Sequence, residues 1–503
     1  MATDHHSLSL SLINVQAVPR SIVRKFSAAA RASFFFKFLL LSVLATGLRG
    51  RPIPWDRKLL KRKKSKWDDR SNGNDNKKTV FTIMKAFIAS GILFLPGGVA
   101  KAGWLLAILI LLLLGSLSLW CMLLLLDAKN KLVSEGVKVL SFGDVAKHSY
   151  GKWGRRAVDT SILFAQMGFC CAYLAFVGEN LHSVLYSVFD CWDVPQPLIM
   201  LLLTPIIIPM VWVRKLKYYA VTNIIADVLI VAPLVYLLWY EADLVMERGL
   251  GPDIVACKWE TALPFFGTTV YALEGISMII PIEQAMKRPQ DLPRVLTGCM
   301  VFIVSLMIVI GVSGYLTFGS DTKAIITLNL GDPTEGDNKV VDVIKLAYCL
   351  AIIFTYPLMK FPAVKIVERN LFKDRRSGKK WAKNFVRMSM VFLCLGVSIA
   401  GADKIDNFVA IVGGLTCVPL AFIFPSLFHY KICCNSPNSP AFFNYSYNTL
   451  KMYSWADVFI FIFGVLSMIL STGLAIGEWI DAPPKAEEIC HLNTTIPYDH
   501  FEL

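Results

Sequence analysis

From Thr79 onward the chain alternates between long apolar runs and short polar segments. Uninterrupted apolar runs of about 20 residues match the hydrocarbon thickness of a bilayer rather than one face of a soluble helix. Eleven such spans are predicted, at 80–97, 103–127, 157–180, 197–213, 219–240, 261–282, 295–317, 340–359, 386–401, 407–428 and 454–479. The predicted fold class is therefore an all-α integral membrane protein with eleven transmembrane helices. Three regions follow: a disordered basic tail over 1–78, a membrane domain over 79–480, and a short polar tail over 481–503. Within the first tail, residues 33–47 are apolar but short for a crossing. They read either as an interfacial piece on the membrane surface or, given the acid-free Arg/Ser composition of residues 5–55, as a transit or signal segment.

Composition agrees with a membrane protein. Hydrophobic residues make up 55% of the 503 and charged residues 17%, with a mean hydropathy of +0.54. Soluble domains carry about 25% charged residues, so a water-soluble enzyme is excluded. The net charge of +14 suggests a polyanion partner until it is located. Residues 1–78 hold 17 basic and 5 acidic residues, leaving the other 425 nearly balanced at 34 against 32. No RNA- or DNA-binding motif accompanies the excess, and no nucleic-acid partner is expected. The loops 128–156, 214–218, 284–294, 360–387 and 429–452 hold 25 Lys/Arg, and the alternate set with the C-terminal tail holds 7. Cytoplasmic loops keep the Lys/Arg excess. The N-terminus is thus expected in the cytoplasm and the C-terminus outside it. Asn493, in the sequon Asn493-Thr494-Thr495, then falls where glycosylation occurs, whereas Asn444 does not. Cys191 and Cys257 fall in two outer loops, where a disulfide is permitted but not specified by spacing.

Two spans are irregular. Span 1 contains Ser90-Gly91-Ile92-Leu93-Phe94-Leu95-Pro96, and span 6 contains Tyr271-Ala272-Leu273-Glu274-Gly275 followed by Pro281. A helix broken at depth frees backbone groups that lipid cannot satisfy, so the break must face protein or a polar cavity. Matched breaks five spans apart point to an inverted-repeat transporter site, with free N–H groups and carbonyls facing a substrate's carboxylate and amine. The bland alternative is a pair of glycine packing notches. Glu274 stands out because a carboxylate at membrane depth is costly. It is expected either to hold a substrate ammonium or to carry a proton, against a purely structural role closing the break. Glu179, at the outer end of span 3, is a second coupling candidate or an interfacial charge. Asp227 is expected to pair with Lys85 or Lys345. Thr355-Tyr356-Pro357 interrupts span 8, as a site residue or as a simple kink. No nucleophile elbow, P-loop or metalloprotease motif occurs, and neither the 12 Cys nor the 7 His show metal-ligand spacing. No catalytic residues, metal or cofactor are expected.

At these residues the chain resembles the amino acid/auxin permease family, within the amino acid–polyamine–organocation group. The resemblance rests on Thr82-Ile83-Met84-Lys85, on Ser90 to Pro96 and on Ala102-Gly103-Trp104 in span 1. It continues in Ala272-Leu273-Glu274-Gly275 and Pro281-Ile282-Glu283-Gln284-Ala285-Met286 of span 6, in Phe176-Val177-Gly178-Glu179-Asn180, and in Phe354-Thr355-Tyr356-Pro357-Leu358. It covers about residues 79–480 and lies nearest the proton-coupled and vacuolar amino acid transporters. The resemblance implies a five-plus-five inverted repeat with helices 1 and 6 broken, alternating access, and neutral amino acids as substrate. It implies substrate contacts at Ser90, Gly91, Ile92, Tyr271, Glu274, Gly275 and Thr355, and a Cys191–Cys257 disulfide. Two positions depart from it. Thr82 stands where animal proton-coupled members have His, which shifts proton coupling to Glu274. Phe87 stands where sodium-coupled members have Asn, and it offers no ligand oxygen.

The chain is accordingly expected to be a secondary active transporter of small neutral amino acids, with protons as the coupling ion. Its membrane is expected to be vacuolar, lysosomal or plasma. The rival reading is an amino-acid sensor signalling through the cytoplasmic tail; it predicts binding without flux.

Overall fold

The computed structural model describes residues 74–88, 90–189, 194–214, 220–331, 339–372, 380–434 and 447–481. Residues 1–73 of the predicted basic tail, Cys191 and Asn493 lie outside them, whereas 76–78, read as the end of the disordered tail, open the first helix. Among the described residues the chain is helical, with no β-strand.

The first span is in two pieces, α1 (Asn76–Phe87) and α2 (Leu95–Ala102), joined through a 3₁₀ turn over Ser90–Phe94 and bent by 44°. There follow α3 (Trp104–Ser134), α4 (Phe142–Val188), α5 (Gln196–Trp212) and α6 (Ala220–Arg248). The sixth span is again two pieces, α7 (Ala262–Ala272) and α8 (Ile276–Ala285). The remainder is α9 (Leu292–Phe318), α10 (Lys339–Leu371), α11 (Lys380–Gly401), α12 (Ile405–Cys434) and α13 (Tyr447–Asp481).

Nine helices among the described residues have the length and hydropathy of a membrane crossing, and ten if the bent α1–α2 pair counts as one. The predicted count of eleven includes α5, which falls below that length. At 17 residues it spans about 26 Å at 1.5 Å per residue, short of the roughly 30 Å core. It also carries Pro205 and Pro209 inside. Its C-terminal carbonyls, which a helix end leaves unsatisfied, are met from α11. Arg387 Nη1 donates to Val211 O at 2.9 Å and Val213 O at 3.1 Å, while its Nε donates to Glu368 of α10 at 2.8 Å. A second difference lies at 128–156, read as one loop. There α4 begins early with about two turns that bury Phe142, Val145 and Ala146, then kinks at Tyr150-Gly151 before the span proper.

The two broken spans are stitched together at one end. Asn74 N–H donates to Ala285 O at 2.7 Å and Lys287 N–H returns to Asn74 O at 3.0 Å. Asn76 Nδ2 adds a bond to Asp291 at 3.0 Å. At the other end the segment before α7 wraps over the α2–α3 junction. The Leu105 amide donates to Ala256 O at 3.0 Å, satisfying a donor at the start of α3, and Lys258 N–H donates to Ala102 O at 2.8 Å, satisfying a carbonyl at the end of α2.

Removing Arg387 leaves a buried carboxylate and two carbonyls without their donor. Arg387→Ala is expected to cost about 3–5 kcal/mol, with Arg387→Lys intermediate because it keeps the charge but not the fork. Thermal unfolding of the detergent-purified variants checks this order.

Candidate functional site

The α7–α8 break falls at Leu273-Glu274-Gly275, because Gly275 has no side chain to fill the space taken by Phe87. A Cβ on Gly275 would lie 2.4 Å from Cζ of the Phe87 ring at the end of α1. The same crossing recurs three residues back. A Cβ on Gly91 would lie 2.8 Å from Ala272 Cα. Each break is therefore covered by the other. Backbone that lipid could not satisfy is enclosed by protein, and the two glycines set how closely the spans approach.

Glu274 sits in this break, buried, just ahead of the N-terminus of α8. Its Oε1 accepts from Ser277 Oγ at 3.1 Å. Among the described residues no cation pairs with it. Position at a helix N-terminus favours the anion; burial away from water and cations disfavours it.

Around the breaks lies a block of rings. Tyr271 meets Phe169 of α4 at 4.6 Å between centroids and Phe94 of the 3₁₀ turn at 6.3 Å, both edge-on. Phe94 meets Phe176 at 6.3 Å, and Phe176 meets Tyr348 of α10 at 5.8 Å. All five rings are buried. Such edge-to-face packing is the preferred geometry of aromatic pairs. Two hydroxyls beside this block, Thr269 Oγ1 and Tyr348 OH, are buried with no hydrogen-bond partner among the described residues.

The expected site residues divide in two. Gly91, Ile92, Tyr271, Glu274 and Gly275 come together at the crossing. Ser90 opens the 3₁₀ turn there, and its side chain is not among those described. Thr355 instead turns its hydroxyl back onto Ala351 O at 2.8 Å. Glu179 is half-buried near the end of α4, beside Asn180, whose Oδ1 accepts from Thr327 Oγ1 at 2.6 Å. Cys257 is half-buried, and its expected partner Cys191 lies outside the described residues.

Ion pairs flank the crossing. Lys85 of α1 pairs with Asp227 of α6 at 3.0 Å, and Lys345 donates instead to Ser183 Oγ at 3.0 Å. Lys101 of α2 bonds Asp406 at 2.7 Å, Asn407 at 2.8 Å and Glu478 at 2.9 Å. Lys129 of α3 reaches Glu283 of α8 at 2.7 Å in a buried pair.

Several groups escape sequence reasoning. Glu241, placed in a loop by the predicted end of span 5, is buried inside α6, with Oε2 accepting from Ser313 Oγ at 2.5 Å. Lys360 is fully buried in α10, donating to Tyr356 OH at 3.1 Å and Cys394 Sγ at 3.5 Å. Hydropathy stops span 8 at 359, one residue short of it. Intramembrane charge was the signal that could have found both.

An all-helical fold, with paired helix breaks enclosing a buried carboxylate, is the arrangement of the broken-helix fold class. The fold is shared with the transporter Mhp1 in its inward-facing conformation: TM-score 0.53 at 13% identity, over 82% of this chain and 92% of that one. Residues 73–476 match the model of the family described as transmembrane amino acid transporter protein, and the chain belongs to that family. It is 32% identical over 427 residues to Vacuolar amino acid transporter 3 of Schizosaccharomyces pombe, covering 84% of this chain and 61% of the relative. It is 33% identical over 392 residues to Vacuolar amino acid transporter 4 of Saccharomyces cerevisiae, covering 72% and 53%. The chain thus spans a little over half the length of these yeast relatives. Amino acid transporter AVT3A of Arabidopsis thaliana is 31% identical over 419 residues, covering 80% of this chain and 89% of the relative.

The two glycine contacts differ in what opposes an added methyl. At Gly275 it is a side-chain ring; at Gly91 it is backbone. Gly275→Ala and Gly91→Ala are both expected to lower amino acid uptake in vesicles. Phe87→Leu should restore a substantial part of activity to Gly275→Ala and none to Gly91→Ala, a coupling that a double-mutant cycle of uptake rates measures.

Proposed function

We propose that this chain is a secondary active transporter that moves small neutral amino acids together with protons across a vacuolar membrane, with the crossing of spans 1 and 6 as the binding site. The observation that carries the reading is Glu274: a buried carboxylate at a helix break, with Ser277 as its hydrogen-bond donor and no paired cation among the described residues. Protonation removes a charge that is costly to bury. A conformational switch that takes Glu274 out of contact with one aqueous face is then easier for the protonated form, and that difference couples the proton to the movement of substrate.

The substrate class follows from the surroundings. Backbone groups at the two breaks suit an α-carboxylate and an α-amine. Phe94, Phe169 and Tyr271 wall the crossing with apolar rings, and among the described residues the break Leu273-Glu274-Gly275 carries one ionisable side chain, which supports a neutral side chain on the substrate. Family membership makes an amino acid the cargo to test first, and the names of the yeast relatives make the vacuole the membrane. The loop charge bias supports a cytoplasmic N-terminus, and the same family membership argues against an enzyme.

The test is uptake by purified protein in liposomes. An inward proton gradient should drive accumulation of a small neutral amino acid, and a protonophore should abolish it. Glu274→Gln, which holds the group in its uncharged form, should lose gradient-driven accumulation while retaining exchange of labelled for unlabelled substrate. Accumulation that ignores the gradient overturns proton coupling, and full accumulation by Glu274→Gln overturns the role of that residue. Saturable binding with no flux under either condition overturns transport in favour of a sensor.

A further inference from the structure

No metal-ligand spacing is visible in the sequence, yet the fold gathers a ligand set away from the transport site. The last turn of α12, Tyr430–Cys434, is π-helical. A π turn brings residue i+5 over residue i, where an α-turn would carry it to another face. Cys434 is thereby placed above His429. Asp457, near the start of the membrane-crossing part of α13, completes the group. His429 Nδ1 lies 2.6 Å from Asp457 Oδ2, and Cys434 Sγ lies 3.7 Å from the same oxygen. The three ligand atoms all fall within 4.8 Å of one another.

A second observation points to a ligand. Asp457 is 1% exposed, and its other oxygen, Oδ1, is buried with no hydrogen-bond partner among the described residues. An unsatisfied buried carboxylate oxygen is expensive. A His–Asp ion pair through Oδ2 alone leaves that cost standing; a cation held by both oxygens of the carboxylate removes it.

We propose that His429, Cys434 and Asp457 form a divalent metal site, with zinc as the best-suited ion, stapling the end of α12 to the start of α13. One imidazole nitrogen, one thiolate and one carboxylate oxygen make a borderline-soft set that suits zinc and disfavours calcium and magnesium. Tetrahedral zinc at ordinary bond lengths separates nitrogen from oxygen by about 3.3 Å and sulfur from oxygen by about 3.6 Å. The sulfur–oxygen distance already matches, and the nitrogen–oxygen contact has to open by roughly 0.7 Å. Cys433, half-buried on the same π turn, or a water takes the fourth position. The loop charge bias puts this end of α12 on the cytoplasmic side, where thiols stay reduced.

The experiment uses the full chain, purified in detergent through a tag without histidines. Zinc content is measured by mass spectrometry, and after stripping with chelator cobalt(II) is added as an optical probe. Expected results are one zinc per chain and a near-ultraviolet thiolate-to-cobalt absorption. Cys434→Ser should abolish the cobalt band. Asp457→Asn should weaken zinc binding on the order of 100-fold, since even changes outside the ligand shell cost 10- to 100-fold. If the stripped wild-type protein shows no thiolate–cobalt band, or binds zinc no tighter than Cys434→Ser, the group is a hydrogen-bonded His–Asp pair and the metal site is overturned. Because the deciding measurement is made on the wild-type chain, a variant that fails to fold does not rescue the proposal.

Discussion

Lipid offers a broken helix nothing to bond with, and the arrangement of this protein follows from that constraint. Spans 1 and 6 both lose their helix at mid-length, and the only medium that can accept them is protein. They are placed face to face, with Gly91 against Ala272 and Phe87 against Gly275. Once the two breaks enclose each other, the positions of the neighbours follow. Helices α4 and α10 supply the rings that close around Tyr271 and Phe94. The backbone bridge at Asn74, and the segment laid over the α2–α3 junction, fix the ends of the same two spans. A rearrangement that opens the site must move these parts as rigid pieces, because the glycine contacts leave no slack for gradual deformation.

The ion pairs read in the same way. Lys85–Asp227, Lys101 with Asp406 and Glu478, and Lys129–Glu283 all tie spans 1, 2 or 6 to another part of the bundle. Solvent-exposed pairs of this kind contribute little, but pairs taken out of water are costly to separate. Lys129–Glu283 is the most buried of the three groups, and Lys101 is the most branched. Any rearrangement that moves the broken spans apart from their neighbours has to separate these pairs. Glu274 belongs to none of them.

Sequence periodicity made the helical class, the irregular spans and the prominence of Glu274 legible, because each depends on residue type along one segment. A run of apolar residues needs no partner to be recognised, and neither does glycine next to an intramembrane acid. What was not legible depends on register between segments. The aromatic block is assembled from four elements, so no single stretch announces it. Glu241 and Lys360 were missed because hydropathy trimmed each span at the charged residue, whereas the helix continues and buries it. The placing of Cys434 beside His429 and Asp457 rests on a π turn, which leaves no periodic signature in 30 residues of apolar sequence. The short α5 was counted as a crossing on hydropathy alone, although its carbonyls end against Arg387.

The Phe87–Gly275 contact also bears on which ion the site can use. A sodium ion needs a shell of oxygen ligands held at fixed distance. At this crossing an aromatic ring fills the space over Gly275, closer than a side chain of any size would allow. The ring provides no oxygen, and it excludes the water that might substitute for one. A proton makes no such demand. It needs one basic atom, and it brings no coordination shell into the packed interior. Glu274 supplies that atom one residue from the glycine, inside the same break. Under the proposed proton-coupled reading, the packing that closes the break leaves no oxygen shell for a metal cation and asks only one basic atom of the site. Both conditions are set by volume and ligand chemistry at the crossing itself, without reference to any distant residue.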